Sequence, residues 1–256
     1  MSKIMAKIGS LLSVLLLALS GSVMAAPQQN AIDTRSMTVA QLEKAGDEAR
    51  AQKDYYQAIE YFRAALRKDK KNSVLYNKVG LAELRNNDLK SARQDFEKSA
   101  KLNSKYSEAV NNIGAVDYMR KNFGSAAKYF KKAVALEETR ATFHVNLGAA
   151  WFSQKKFERA VMEYARALEL DPDALRQNSK VGIAAQISSP EERAQYSYML
   201  AKIYARRGDT EGCLQCLRKA KEDGYRNLAN VYKDEEFARM RNNPQLHEVI
   251  APPTVK

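Results

Sequence analysis

Small and apolar residues return along this chain at a fixed interval. Gly46, Gly80, Gly114 and Gly148 are evenly spaced, and Ala58, Ala92, Ala126 and Ala160 keep the same period of thirty-four. Four residues beyond each alanine stands a ring, at Phe62, Phe96, Phe130 and Tyr164, a spacing that puts alanine and ring on one face of a helix. Three registers that hold one period without a gap define a repeat, in which each copy is one supersecondary unit stacked on the next. A glycine inside a helix costs about 1 kcal/mol against alanine, so four at one phase call for a packing reason. Small residues let the helix axes approach closely, and rings such as Phe123 and Phe130 are expected to fill the seam between neighbouring units.

The units predicted in this way run 39–72, 73–106, 107–140 and 141–174, after a linker at 26–38. The phase then breaks. It returns only with Leu200, Ala201, Tyr204, Gly208, Leu217 and Ala220, which sets a fifth unit at 194–227 and leaves 175–193 as an insertion. Ser189, Pro190 and Glu192 form a helix start ahead of that unit, with serine as cap and proline at the first helical position. Inside the insertion, Val181 to Ile187 reads as an apolar hook packed on the stack, with a partner-binding loop as the alternative. Positions 228–256 again place apolar residues at helical spacing, with a fresh start at Asn243-Pro244. They read as the end cap that covers the last seam of such a stack.

The fourth copy, HVNLGAAWFSQKKFERAVMEYARALELDP, carries Leu147, Gly148, Trp151, Ala160, Tyr164, Ala167 and Pro172, and in these residues it resembles the tetratricopeptide repeat. The resemblance implies that each unit is two antiparallel helices, with the glycine in the first and the alanine in the second, and hence an all-α fold, a right-handed superhelical α-solenoid of about five helix-turn-helix units with a C-terminal helical cap. Individual copies depart from the pattern: the first has Ala49 where an aromatic is usual, and only the fourth ends in proline. Such a resemblance specifies fold far better than function.

The N-terminal stretch 1–25 is of another kind. Lys3 and Lys7 precede the apolar run Leu11 to Leu19, and Val23 and Ala25 stand where a signal peptidase reads. This predicts an export signal over 1–25, cut after Ala25, and an exported chain, periplasmic or secreted; an uncleaved N-terminal anchor is the alternative. No cysteine follows the cut, which argues against a lipoprotein anchor. The formal charge of +12 falls to +10 once Lys3 and Lys7 leave with the signal. The basic residues are spread over helical faces, as in Arg67 to Lys71, Lys98 to Lys101 and Lys128 to Lys132, a spacing typical of solvated surface. No nucleic-acid recognition motif accompanies them, and an anionic membrane lipid or wall polymer is the weaker reading they leave open.

Candidate chemistry is sparse. No glycine-rich phosphate loop, nucleophile elbow, paired-carboxylate signature or cofactor motif occurs, so the chain does not read as an enzyme. Cys213 and Cys216 form the one CxxC pair, and a thiol-disulfide redox protein using them is the alternative function. Against it, Cys213 falls at the small-residue position of its unit and about one turn inside the helix, with Asp209 as the cap. A redox thiol wants an exposed helix N-terminus. A metal site is equally poorly served, because His144 and His247 are not spaced to join the pair. His144 takes a position where the repeat often has tryptophan and reads as a packing residue.

The resemblance also implies where a partner binds. In this family the first helices line a concave groove that receives an extended peptide or a partner helix. Phase assigns to it Asn77, Lys78, Leu81 and Leu84 from the second copy, Asn111, Asn112, Tyr118 and Met119 from the third, and Val145, Asn146 and Phe152 from the fourth. Asn112 and Asn146 share a phase, and similar asparagines in the family bond a bound peptide backbone, since an amide offers donors and an acceptor together. A carboxylate clamp for a C-terminus is not matched, because its usual Lys and Asn correspond to Glu43 and Asp47 here. The expected role is a non-enzymatic scaffold or adaptor for a peptide or protein partner in cell-envelope assembly.

Overall fold

The computed structural model describes residues 34–175 and 189–251. The expected export signal and the apolar stretch 181–187 lie outside them. Among the described residues every regular element is helical. Four hairpins follow one another: α1 (Val39–Ala51) with α2 (Tyr55–Lys68), α3 (Ser73–Arg85) with α4 (Leu89–Leu102), α5 (Ser107–Met119) with α6 (Phe123–Leu136), and α7 (Ala141–Ser153) with α8 (Phe157–Leu170). A fifth pairs α9 (Pro190–Arg207) with α10 (Thr210–Glu222). Two 3-10 turns, Leu228–Tyr232 and Glu235–Met240, and the short α11 (Pro244–Val249) follow among the described residues. No helix among the described residues is long and apolar enough to cross a membrane.

The turn inside each hairpin is set by backbone conformation. Lys53, Asn87, Lys121 and Lys155, which keep the repeat period, hold positive φ between 59° and 64°, and Gly208 takes the same role in the fifth unit with φ 78°. In the left-handed conformation the chain reverses and the next amide reaches back, as when Asp54 N–H donates to Ala49 O and Asp88 N–H to Glu83 O. Asp54, Asp88 and Asp209 then cap the second helices by accepting from the N–H three residues on. Ser189 caps α9 in the same way, with Pro190 in its first turn.

Packing explains the glycines. A Cβ built on Gly80 or Gly114 would lie 2.7 Å from the ring of Phe96 or Phe130, and one on Gly148 would lie 2.8 Å from Tyr164. The rings therefore lie over the glycines of their own hairpins, a contact the expectation for the seam did not include. Phe130 also shares a core cluster with Leu147 and Ala150 of the next unit, so it does both. Each second helix packs against the first helix of the following unit, and α3 meets α5 as α5 meets α7. These contacts between first helices place them on the inner side of the stack and the second helices on the outer side.

The seam after the fourth unit is different. α8 and α9 touch over a much shorter stretch than α2 and α3 or α6 and α7 do. A cleft of about 510 Å³ opens there, with Phe157, Val161, Met162, Met199, Ile203 and Tyr225 among its lining.

Candidate functional site

On the inner side, helical phase and the repeat period carry four asparagines onto three consecutive first helices, α3, α5 and α7. The structure joins them into one chain of amides. Asn146 Nδ2 donates to Asn111 Oδ1 at 2.9 Å, Asn111 Nδ2 to Asn112 Oδ1 at 3.4 Å, and Asn112 Nδ2 to Asn77 Oδ1 at 2.9 Å. Asn77 Nδ2 ends the chain on the Tyr106 hydroxyl at 3.3 Å. Asn77 and Asn111 are buried, whereas Asn112 and Asn146 remain half-exposed. Each half-exposed amide keeps a second N–H, and the Asn146 oxygen makes no hydrogen bond among the described residues, so both can serve a ligand without breaking the chain.

One end of this face is charged. Lys78 Nζ lies 2.7 Å from Glu43 Oε1 and 2.5 Å from Asp47 Oδ2. Burial works against the Lys78 charge, but the two carboxylates outweigh it and raise its pKa. The positions at which a clamp would grip a C-terminal carboxylate thus carry acids already engaged with a lysine.

Of the other residues assigned to the groove, Leu81 and Leu84 are half-buried against a cluster holding Ile113 and Val116, and Met119 is half-exposed at the end of α5. Tyr118, Val145 and Phe152 are not open. The Tyr118 hydroxyl is 2.8 Å from Ser153 Oγ and its ring centroid 5.0 Å from that of Phe123. Phe152 meets Tyr196 of α9 edge-on at 5.4 Å, and Val145 belongs to the same core cluster. Glu192, at the start of α9, is near enough for its charge to act on the Tyr118 phenol, whose pKa burial raises first. Tyr118 is closed by Ser153 of the following unit and the equivalent Phe152 by Tyr196 of α9, while Val145 sits at the repeat position where Asn77 and Asn111 are buried as well. Repeat phase carries no information about that closure.

A second polar feature was not anticipated. Glu83 and Asp117 stand three residues after their glycines, where the fourth copy has Trp151. Both are buried and each meets an arginine from the preceding hairpin or helix. Arg63 of α2 faces Glu83, at 3.0 Å, and Asp95 of α4, and so clasps units one and two. Arg93 of α4 holds Asp117, which also accepts from Ser125 Oγ at 2.6 Å, and so clasps units two and three. One guanidinium cannot neutralise two acids. Glu83 is accordingly pushed up to about 8, by burial first and by Asp95 next, with Arg63 opposing, and its Oε2 is buried without a hydrogen-bond partner. The sequence signal was present as two acids at the aromatic position of adjacent copies.

The remaining candidates resolve as packing. His144 is buried, with Nδ1 at 2.7 Å from Glu163 Oε2 and Nε2 at 2.9 Å from Glu138 O, so it ties α7 to α8 and to the preceding turn. Cys213 is a buried free thiol pushed up to about 12, by burial first and then by its neighbours Cys216 and Asp209. A thiol held protonated in this way is a poor nucleophile, which disfavours the redox reading.

A protein-family model described as tetratricopeptide repeat matches residues 43–109 and 117–174. A second model with the same description matches residues 194–222, and together the two span more than half of the chain. Among solved structures, MamA from Desulfovibrio magneticus RS-1 aligns with a TM-score of 0.52 and 18% identity, over 72% of this chain and 93% of that one. A further MamA crystal structure gives 0.51 and 18%, over 77% and 95%. TTC0263, described as a thermophilic TPR protein in Thermus thermophilus, gives 0.50 and 16%, over 75% and 94%. At these identities the likeness is one of fold. No curated protein sequence matches the chain.

Proposed function

Because the chain belongs to the tetratricopeptide-repeat family, we propose that its inner helix faces hold an extended peptide or protein segment, and that it serves as a non-enzymatic adaptor in a cell envelope. The observation that carries this reading is the amide chain from Asn146 to Asn77, which presents half-exposed Asn112 and Asn146 on consecutive units with hydrogen-bonding capacity left over. An extended backbone offers alternating donors and acceptors, and amides in register along the groove can pair with them. Leu81, Leu84 and Met119 border the same strip and supply apolar contact. Capture of a free C-terminus is disfavoured by Glu43 and Asp47. Residence in the envelope rests on the N-terminal pattern of Lys3, Lys7, the apolar run and Ala25.

The test begins with photo-crosslinkers at Leu81 and Met119 to capture the partner segment. Its affinity is then measured for Asn112→Ala and Asn146→Ala, each of which should lose about 0.5–1.5 kcal/mol. Both asparagines also bond other asparagines, so melting curves accompany the measurement, and Met119→Glu perturbs the strip without touching the amide chain. Full affinity in all three folded variants would remove the groove from consideration. Export is checked separately by the mass of the chain recovered from cells, which should begin at Ala26.

A further inference from the structure

The outer side of the stack carries its charge unevenly. On α4 and the turn after it, Lys98, Lys101 and Lys105 are exposed, and on α6 so are Lys128, Lys131 and Lys132. Lys98 and Lys132 are one repeat period apart and occupy equivalent positions, so the two lysine stripes lie on the same face of successive units. α6 contains no acid at all. The exposed acid of α4, Glu97, is held by Arg93 at 3.1 Å, and Asp95 is buried against Arg63. Glu108 and Glu137, near the ends of these helices, are both bonded to Arg140. Glu138, just past α6, is the nearest exposed acid in sequence. On α8 the balance is restored, because Arg166 is paired with Glu169 at 3.0 Å and Glu158 adds a negative charge. The positive field therefore runs over units two and three and, through exposed Arg67, Lys70 and Lys71 at the end of α2 and in the turn after it, onto unit one.

We infer that this outer face docks on the surface of a lipid bilayer rich in anionic phospholipid. All six cations are lysines, which are compact charges on flexible stems, so the face reads charge density and not the forked geometry of a single shaped ligand. A half-exposed ring, Tyr76, lies beside the stripes and is already covered by Lys98 Nζ at 6.0 Å, and a covered ring offers successive bases no stacking platform, which sets nucleic acid behind a membrane as occupant. Leu136, one turn beyond Lys132, is 38% exposed and adds an apolar contact at the edge of the patch. The surface belongs to second helices and is separate from the groove, so membrane docking leaves the inner face open to a partner.

The experiment is flotation of the full chain with vesicles of phosphatidylcholine alone and of an equal mixture of phosphatidylcholine and phosphatidylglycerol. The apolar run 11–19 contributes to both and Lys3 and Lys7 add to the anionic excess, so the part of that excess lost on reversing the α6 lysines is what belongs to the outer face. Each lysine near an anionic surface is worth about fivefold, so Lys128→Glu, Lys131→Glu and Lys132→Glu together should weaken the excess by on the order of a hundredfold. Salt should weaken it as well. A charge-matched control, Lys219→Glu with Arg226→Glu and Lys233→Glu, should retain most of it, and circular dichroism confirms that both variants fold. Equal flotation with neutral vesicles, equal binding by the two triple variants, or equal affinity for duplex DNA would each overturn the inference.

Discussion

The first four hairpins and the fifth solve one packing problem in two ways. In the stack α1–α8 a glycine on the first helix makes room for a ring on the second, as Gly114 does for Phe130. In the fifth unit the equivalent residues are Ala201 and Leu217, both fully buried. A methyl is added on one helix and a ring is reduced to an aliphatic side chain on the other, so helix spacing is maintained by volume exchange across the pair. The seams differ too. Units one to three are clasped by buried arginine–carboxylate groups, whereas the fifth unit meets the fourth through aromatic edges at Tyr196 and leaves a cleft beside them.

The largest expected effect tests the clasp. Arg63→Met leaves Glu83 and Asp95 buried without their cation and should cost about 3–5 kcal/mol in chemical denaturation. Arg206→Ala in the fifth unit removes a 65% exposed side chain whose partner Glu236 still has Lys202, and should cost under about 1 kcal/mol. Similar losses at the two sites would erase the contrast. Next comes volume exchange. Gly114→Leu should cost about 3 kcal/mol or more, against under about 1 for Lys131→Leu on the surface. Gly114→Ala alone should cost about 1–2 kcal/mol, and adding Phe130→Leu, which imports the solution of the fifth unit, should recover part of it. A double variant worse than the sum of the singles would refute the exchange.

A pH series sharpens the picture of the clasp. Glu83 has a folded value of about 8 against an ordinary 4.5, so between those values the folded chain holds a proton that the unfolded chain has released. Its contribution to stability is therefore complete below about 4.5, declines as pH rises, and is gone above about 8. Glu83→Gln should match the parent near the low end of that window and melt at a higher temperature near the high end. A constant difference across the window would show that the acid stays ionised throughout. The smallest effect concerns the turns. Lys121→Gly should stabilise by about 0.5–1 kcal/mol and Gly208→Ala destabilise by about 1, since both positions need a positive φ that only glycine adopts without cost.

How much of this was legible in the letters varies with the distance over which the information acts. Gly80, Gly114 and Gly148 announced their role because the ring each one accommodates lies sixteen positions away in the same hairpin. The start of α9 was readable from Ser189 and Pro190, a local signal with a local consequence. The amides of Asn112 and Asn146 were identified by phase, but not that they bond first to Asn77 and Asn111. Those bonds reach one position further than the repeat period, an offset that depends on how successive units are rotated. Tyr118 and Phe152 had the right phase for the groove and were still covered, Tyr118 by Ser153 of the next unit and Phe152 by Tyr196 of a helix that begins after a break in the repeat.

The sequence by itself therefore determined that helix pairs form, how long they are and which small and large side chains meet within each, since these follow from spacing along single helices and across one short turn. The tertiary structure alone decided which inner positions stay open, which acids share an arginine and which seam gapes. Those outcomes depend on the rotation between units and on the path taken by α9, where contacts such as Phe152 with Tyr196 join residues that no periodicity relates. Burial is a property of everything that packs on a position, and a repeat encodes only its nearest neighbours.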